Sequence, residues 1–332
     1  MIVDNYKVQD QTSAIEKVET IPSLISSMGF FRDTPVASDS ITFDVRENTL
    51  SVLDDSKRNT RTTNTMDSRD FAMHTLAIPH YSIEESIGRN QLAGIRGFGK
   101  ETEKAINMKV AEELVRQSER HDNHEEYLKA LMLFKGQVDT NYHGLIDVAT
   151  EFGVAQQTYT FLPNDPIANQ LLTMTRKAKD GLKTGSRARG YVLFAGVTLF
   201  AQIMDNDDVK AAFSGASYGN NPLLNELGVA GAGYTMFRMG NVDIVLYDDE
   251  FTTPDGTVVK PVGDAEGVLV PRAELGEAFF GPVSKLSGVG TLGAKRFASS
   301  YRDPKDRYID VDSEQNTLVV NKHFGATVKI TL

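Results

Sequence analysis

Residues 100–134 read KETEKAINMKVAEELVRQSERHDNHEEYLKALMLF, and no proline or glycine interrupts the run before Gly136. Ile106, Val110 and Leu114 recur every four residues, with Ala111, Val115 and Ser118 beside them. Apolar side chains at that spacing line one face of an α-helix. Charges of both signs fill the rest of the surface, as on a hydrated outer face. Unbroken, such a helix runs about 50 Å at 1.5 Å per residue. That is long for a globular domain and suits a spine on which other elements are hung.

Working toward the N-terminus, 39–78 has the pattern of a long β-hairpin. Ile41, Phe43 and Val45 alternate with Thr42, Asp44 and Arg46, the period of a half-buried strand. Residues 71–78 supply the return strand, closed by Pro79. Between them, 54–70 is almost wholly polar: Lys57, Arg58, Arg61 and Arg69 interleave with Asp54, Asp55, Asp67 and Asp70, and Met66 is its one large apolar side chain. A loop this long inside a compact domain is uncommon without a function of its own. Mixed charges suit contact with a neighbour carrying both signs, where complementarity selects register. These eight residues are the candidate assembly contacts, and a solvated surface insertion is the competing reading. Residues 1–38 form an arm whose apolar cluster (Ile21, Leu24, Ile25, Met28, Phe30, Phe31) is too small to fold alone and must lie against something larger.

C-terminal to the spine the elements mix. Asp165-Pro166 marks a helix start ahead of the stripe Ile167, Leu171, Met174, Ala178. Tyr191–Ala195 is a short buried strand, followed by a helix through Phe200 and Ile203. Val242, Ile244 and Leu246 alternate in a strand, Pro254-Asp255-Gly256 is a turn, and Leu318–Val320 and 326–332 close the chain with strands. The class is α+β.

Composition bounds function. The 332 residues are 40% apolar, enough for a substantial core, and carry a net charge of −10. Affinity for nucleic acid comes largely from Lys and Arg displacing counterions, so this acidic balance argues against a dedicated DNA binder. No cysteine is present, which removes disulfides, thiolate metal sites and cysteine nucleophiles. We expect no membrane span and no secretory signal, since no apolar run has the length for the one and Met1–Lys7 lacks the form of the other.

No catalytic, cofactor-binding or metal-binding residue emerges. Gly94-Ile95-Arg96-Gly97-Phe98-Gly99-Lys100 approaches a phosphate loop, and a nucleotide-binding enzyme built on it is the rival class. Yet Glu101 stands where the chemistry needs a hydroxyl on Mg²⁺, and 82–89 reads as helix rather than the strand such a loop should follow. Gly228, Gly231 and Gly233 carry the dinucleotide spacing reversed. His121, His124 and Glu125 could share a metal, but a hydrated helix face accounts for them better. Asp205-Asn206-Asp207-Asp208 lacks the glycine and distal glutamate of a calcium loop and reads as a helix cap.

The order of segments from residue 78 onward resembles the lambda-type major capsid protein family of tailed phages. Ile78-Pro79-His80-Tyr81, Ile87 to Leu92 and Arg96-Gly97-Phe98-Gly99 are similar to the passage leading into that family's spine helix. Asp147 to Val154 is similar to its aspartate–phenylalanine–glycine strand, and the run from Tyr191 to Phe213 to its strand–helix–helix passage. Asp248-Asp249, Asp255-Gly256, Val270-Pro271 and Phe280-Gly281-Pro282 follow in the family's order. The resemblance implies the Hong Kong 97-type fold: an N-terminal arm (1–38), an extended loop (39–78), a peripheral domain (79–150 and 300–332) with the spine helix at about 100–134, and an axial domain (151–299). It implies a structural protein of the virion, assembled in the host cytoplasm. Its partners would be its own copies in pentamers and hexamers, a portal at one vertex, a scaffolding or cement protein, and packaged double-stranded DNA held without sequence-specific binding. The same fold would also serve the shell of a non-viral compartment.

Overall fold

The computed structural model describes residues 9–17, 23–46, 71–92, 100–182, 188–214 and 234–332. Two six-stranded sheets organise them. The first runs Gln9–Asp10, Phe297–Arg302, Tyr308–Asn321, Gly276–Phe280, Phe31–Pro35, with His80–Gly88 also paired to Tyr308–Asn321. That fourteen-residue strand is the axis of the sheet. Its N-terminal part is flanked by Phe297–Arg302 and His80–Gly88, and its C-terminal part by Gly276–Phe280. The second sheet runs Met236–Met239, Val242–Leu246, Tyr191–Ala195, Glu266–Pro271, Val328–Thr331, Gln157–Thr160. Tyr191–Ala195 is buried at every position, as a continuous apolar run predicts for a strand covered on both faces. Val192 and Phe194 face the core shared with the spine helix. Tyr191, Leu193 and Ala195 face Leu171 and Met174 of helix Ile167–Gly181 and Leu199 and Ile203 of helix Val197–Asp205.

The spine helix is Lys100–Phe134, as its periodicity predicts. Its two halves differ. Around Leu114 a small cluster with Ile15, Ile87, Ala298 and Val311 is the only apolar anchor of the first half among the described residues. From Leu128 to Phe134 the apolar side chains are buried in the main core beside Phe30, Phe194 and Tyr247. The long hairpin is present too: Ser40–Arg46 pairs with Phe71–Ala77 in antiparallel register from Ser40↔Ala77 to Arg46↔Phe71.

Four local readings are corrected. Residues 80–88 are a strand, not a helix. Ile83 and Ile87 are four apart, which suggested helix, but Tyr81, Ile83, Glu85 and Ile87 all lean inward while Ser82, Glu84 and Ser86 are exposed, the period of two. The segment Val148–Phe152 is a short helix rather than a strand, because the Asp147 carboxylate accepts from the Ala149 N–H at 2.9 Å and from Thr150, while Gly153 at φ 61° ends it. Helix Ile167–Gly181 starts after Pro166, and its first N–H is met by Asp208 Oδ2 at 3.1 Å, not by Asp165. The closing strand is Val328–Thr331, preceded by a single 3₁₀ turn, Phe324–Ala326. The turn at Pro254-Asp255-Gly256 forms as read, with Gly256 at φ 84° between strands Phe251–Thr252 and Val258–Val259.

Candidate functional site

The eight charged residues Asp54, Asp55, Lys57, Arg58, Arg61, Asp67, Arg69 and Asp70 lie outside the described residues, as do Gly94 to Gly99 and Gly228 to Gly233. What the structure places is the foot from which the tip springs. Phe43 stacks edge-on against Phe152 and Phe279, with ring centroids 5.6 and 5.7 Å away, and Lys322 Nζ sits over both Phe43 and Phe279. Opposite Phe43 in the register, His74 Nδ1 meets Glu151 Oε2 at 2.9 Å. Leu76 and Ile78 are buried, and the Ile78 N–H donates to the Asp39 carbonyl at 2.9 Å. The hairpin is thus fastened to the body by aromatic packing, which contributes about 0.5–1.5 kcal/mol per ring pair beyond burial. Seven residue pairs make a ladder on the order of 20 Å long.

Beneath this foot, the spine helix holds a buried belt of polar side chains. Gln117, Ser118, His121, Asp122, Glu125, Glu126 and Lys129 are all buried. Glu126 accepts from the arm: the Ile25 N–H at 2.7 Å, the Ser26 N–H at 3.1 Å and Ser26 Oγ at 2.7 Å. Glu125 is held by Lys129 at 2.6 Å, Lys295 at 3.0 Å and Gln315 at 3.2 Å. Burial by itself would raise the Glu125 carboxyl, but the two lysines outweigh it and keep the group below its ordinary range. Arg296, buried with its guanidinium lowered by desolvation, reaches Ser118 Oγ and Asp122 Oδ1. Gln117 Nε2 donates to the Val311 carbonyl at 3.0 Å, and His121 Nε2 meets Ser313 Oγ at 2.9 Å. Apart from the Lys129–Glu125 pair, which lies within the helix, these bonds tie the helix to the arm, the 295–296 strand entry or the central strand.

His121 and His124 are therefore not on a hydrated face. His121 is buried against Ser313, and His124 stacks on Tyr81 with centroids 4.1 Å apart. Desolvation pushes both imidazoles down to about 4, helped at His121 by Arg296 and partly offset at His124 by Glu125. Sequence reading missed the belt because it took polar residues as outward. The signal was present: Ile106, Val110, Leu114, Ser118, His121 and Glu125 continue one helical stripe whose chemistry changes halfway. Asn206 does cap, as read: its Oδ1 accepts from the Asp208 N–H at 3.1 Å at the start of helix Asp207–Ser214, while its Nδ2 donates to the Pro163 and Asp165 carbonyls at 2.9 and 3.0 Å. Lys100 begins the spine helix, and the glycine segment before it follows strand His80–Gly88 and a short helix, Arg89–Leu92. A helix thus still stands between that strand and the glycine segment, and Glu101 remains the second objection to a phosphate loop. Among the described residues, no three metal-ligating side chains converge.

The site has the character of a framework that presents surfaces, and the comparisons agree. Residues 7–332 match the family described as phage major capsid protein E. The major capsid protein of Pseudomonas phage KPP10 is 24% identical over 342 residues, covering 98% of this chain and 97% of that one. In fold the chain is similar to a capsid protein of an E. coli CFT073 prophage (TM-score 0.63, 12% identity, 96% of this chain and 94% of that one). It is also similar to the subunit of the mature bacteriophage PhiM1 capsid (TM-score 0.55, 12% identity, 95% and 88%).

Proposed function

The chain belongs to the phage major capsid protein E family, and from that premise we propose how it builds a shell. Its function is that of a major capsid protein with the Hong Kong 97-type fold, and its place is the virion. Copies associate as pentamers and hexamers that close into an icosahedral head around double-stranded DNA. A heterologous contact repeated around a ring closes when its rotation divides evenly, so one sequence yields both capsomers. We take the peripheral domain as 79–150 and 300–332 with the spine helix, and the axial domain as 151–299; strands cross that boundary in both sheets, Gly276–Phe280 in the first and Val328–Thr331 in the second. The chain acts structurally, without catalysis. Assembly takes place in the host cytoplasm, a portal occupies one vertex, and a scaffolding or cement protein is the further partner class.

The observation that carries this reading is the hairpin foot. Phe43, Lys322 and the His74–Glu151 pair fix the hairpin's base to the body, so the chain beyond Arg46 leaves from a rigid mount. The tip 54–70, with Lys57, Arg58, Arg61 and Arg69 among Asp54, Asp55, Asp67 and Asp70, is the proposed contact with a neighbouring subunit. The test replaces 54–70 by Asn-Gly. Shortening a surface loop changes closure entropy little, so subunit thermal unfolding should stay nearly unchanged while particles seen by negative-stain microscopy become irregular or vanish. Normal, equally stable shells from the shortened chain would make the tip an ornament.

A further inference from the structure

The loop between Phe280 and Phe297 displays more aliphatic surface than any comparable stretch of the described residues. Leu286 is 96% exposed, Val289 83% and Leu292 61%. A floppy loop could do this idly, but this one is built on a fixed frame. A Cβ on Gly288 would stand 2.2 Å from the Val283 carbonyl oxygen, and one on Gly293 2.0 Å from that of Phe280. Only glycine allows such approach. Hydrogen bonds complete the frame: Gly288 N–H to the Lys285 carbonyl at 2.8 Å, Gly293 N–H to that of Val36 at 2.8 Å, and Ser284 N–H to Glu314 Oε1 at 2.8 Å. Three aliphatic side chains held outward by a rigid backbone lose little entropy when covered, the condition under which burial becomes affinity.

Beside them lies a groove of about 680 Å³ whose walls include Ile78, Pro282 and Val283. It reaches Ala37 and Asp39 at the foot of the hairpin, so it is continuous with the element through which subunits are proposed to touch. The charges narrow the occupant. Residues 282–296 contain three cations and no carboxylate in a chain of net charge −10. Lys285 is paired with Asp312, Lys295 with Glu125 and Arg296 with Asp122. With every cation of the 282–296 stretch paired, the loop itself is neutral and apolar, and Asp39 is the one carboxylate among the residues lining the groove. Two chains, each carrying −10, can meet on such a loop with few opposing carboxylates.

We infer that the 282–292 loop is an intersubunit contact, with Leu286, Val289 and Leu292 covered by a second copy of this chain. The inference rests on the shell reading above and names one of its surfaces. Leu286→Asp and Val289→Asp should each leave the subunit's thermal midpoint unchanged, since both side chains are solvated in the subunit, and should lower shell yield by about tenfold or more in sedimentation. The chain has no cysteine, so a Leu286→Cys thiol can be followed alone. It should react with a maleimide in the free subunit and be protected in shells assembled from this chain only. Equal labelling in shells and subunits, or normal assembly of Leu286→Asp, overturns the inference while leaving the shell reading intact. Protection that arrives only when a second virion protein is added also overturns it, by assigning the loop to a decoration partner. A wild-type protein that forms no shells alone or with a scaffold removes the shell reading and this contact together.

Discussion

His121→Gln should make the subunit markedly less sensitive to acid. His121 is 2% exposed and meets Ser313 Oγ at 2.9 Å, with Arg296 and His124 nearby. Burial first, then the Arg296 charge and the neighbouring His124, push its imidazole from 6.5 down to about 4. In the unfolded chain it titrates near its ordinary value, so between those two pH values the unfolded state binds the extra proton. Stability from the neutral ring is therefore fully present above pH 6.5 and is lost as pH falls toward 4. The loss is about 2 kcal/mol by pH 5 and about 3 kcal/mol by pH 4. A glutamine amide reaches the position of Nε2, keeps a bond to Ser313 Oγ, and has no proton to gain. Urea unfolding of the subunit at pH 7, 5 and 4 reads the difference directly. Carboxylates such as Glu125 titrate in both proteins and cancel, so relative to pH 7 the variant should gain on wild type by about 2 kcal/mol at pH 5 and about 3 kcal/mol at pH 4. Parallel pH dependences would refute the reasoning, because they would mean that His121 takes its proton in the folded state as easily as out of it.

Gly181→Ala should destabilise the subunit by about 1–3 kcal/mol, read as a lower thermal midpoint, because the new Cβ would stand 1.9 Å from the Gly325 carbonyl oxygen. Arg296→Ala should cost about 3–5 kcal/mol in urea unfolding by leaving the buried Asp122 carboxylate without its guanidinium, and pairing Asp122→Leu with Arg296→Met should recover most of that. Lys100→Ala should leave shell yield unchanged, and calorimetry on the wild type should detect no micromolar ATP binding, since Glu101 occupies the Mg²⁺-coordinating position.

What the sequence disclosed followed from period and punctuation. The spine's fourfold stripe, the alternation in Ile41 to Arg46, the apolar run Tyr191–Ala195 and the Pro254-Asp255-Gly256 turn are local signals, and each element stands where they put it. Apart from Val148–Phe152, whose cap Asp147 is its chain neighbour, the main errors share one cause: the partner was far away in the chain. His80–Gly88 is extended because Tyr308–Asn321, more than two hundred residues later, supplies its ladder, and nothing within 82–89 announces that. The Ile167 N–H finds Asp208 rather than Asp165 because helix Val197–Asp205 returns the chain to its start. The polar belt is the largest case. Ser118, His121 and Glu125 lie on the same stripe as Leu114, yet a polar residue on a core-facing stripe is legible as buried only when Arg296, Ser313 and Lys295 are known to meet it. This has a consequence for how the fold is held. Among the described residues, the first half of the spine has one small apolar cluster and the second half a large core, and between them the helix is fixed by directional bonds. Charged hydrogen bonds specify position more sharply than they add stability. The belt therefore sets where the arm, the 295–296 strand entry and the central strand sit against the spine, which is what a subunit needs if its surfaces are to meet identical surfaces on its neighbours.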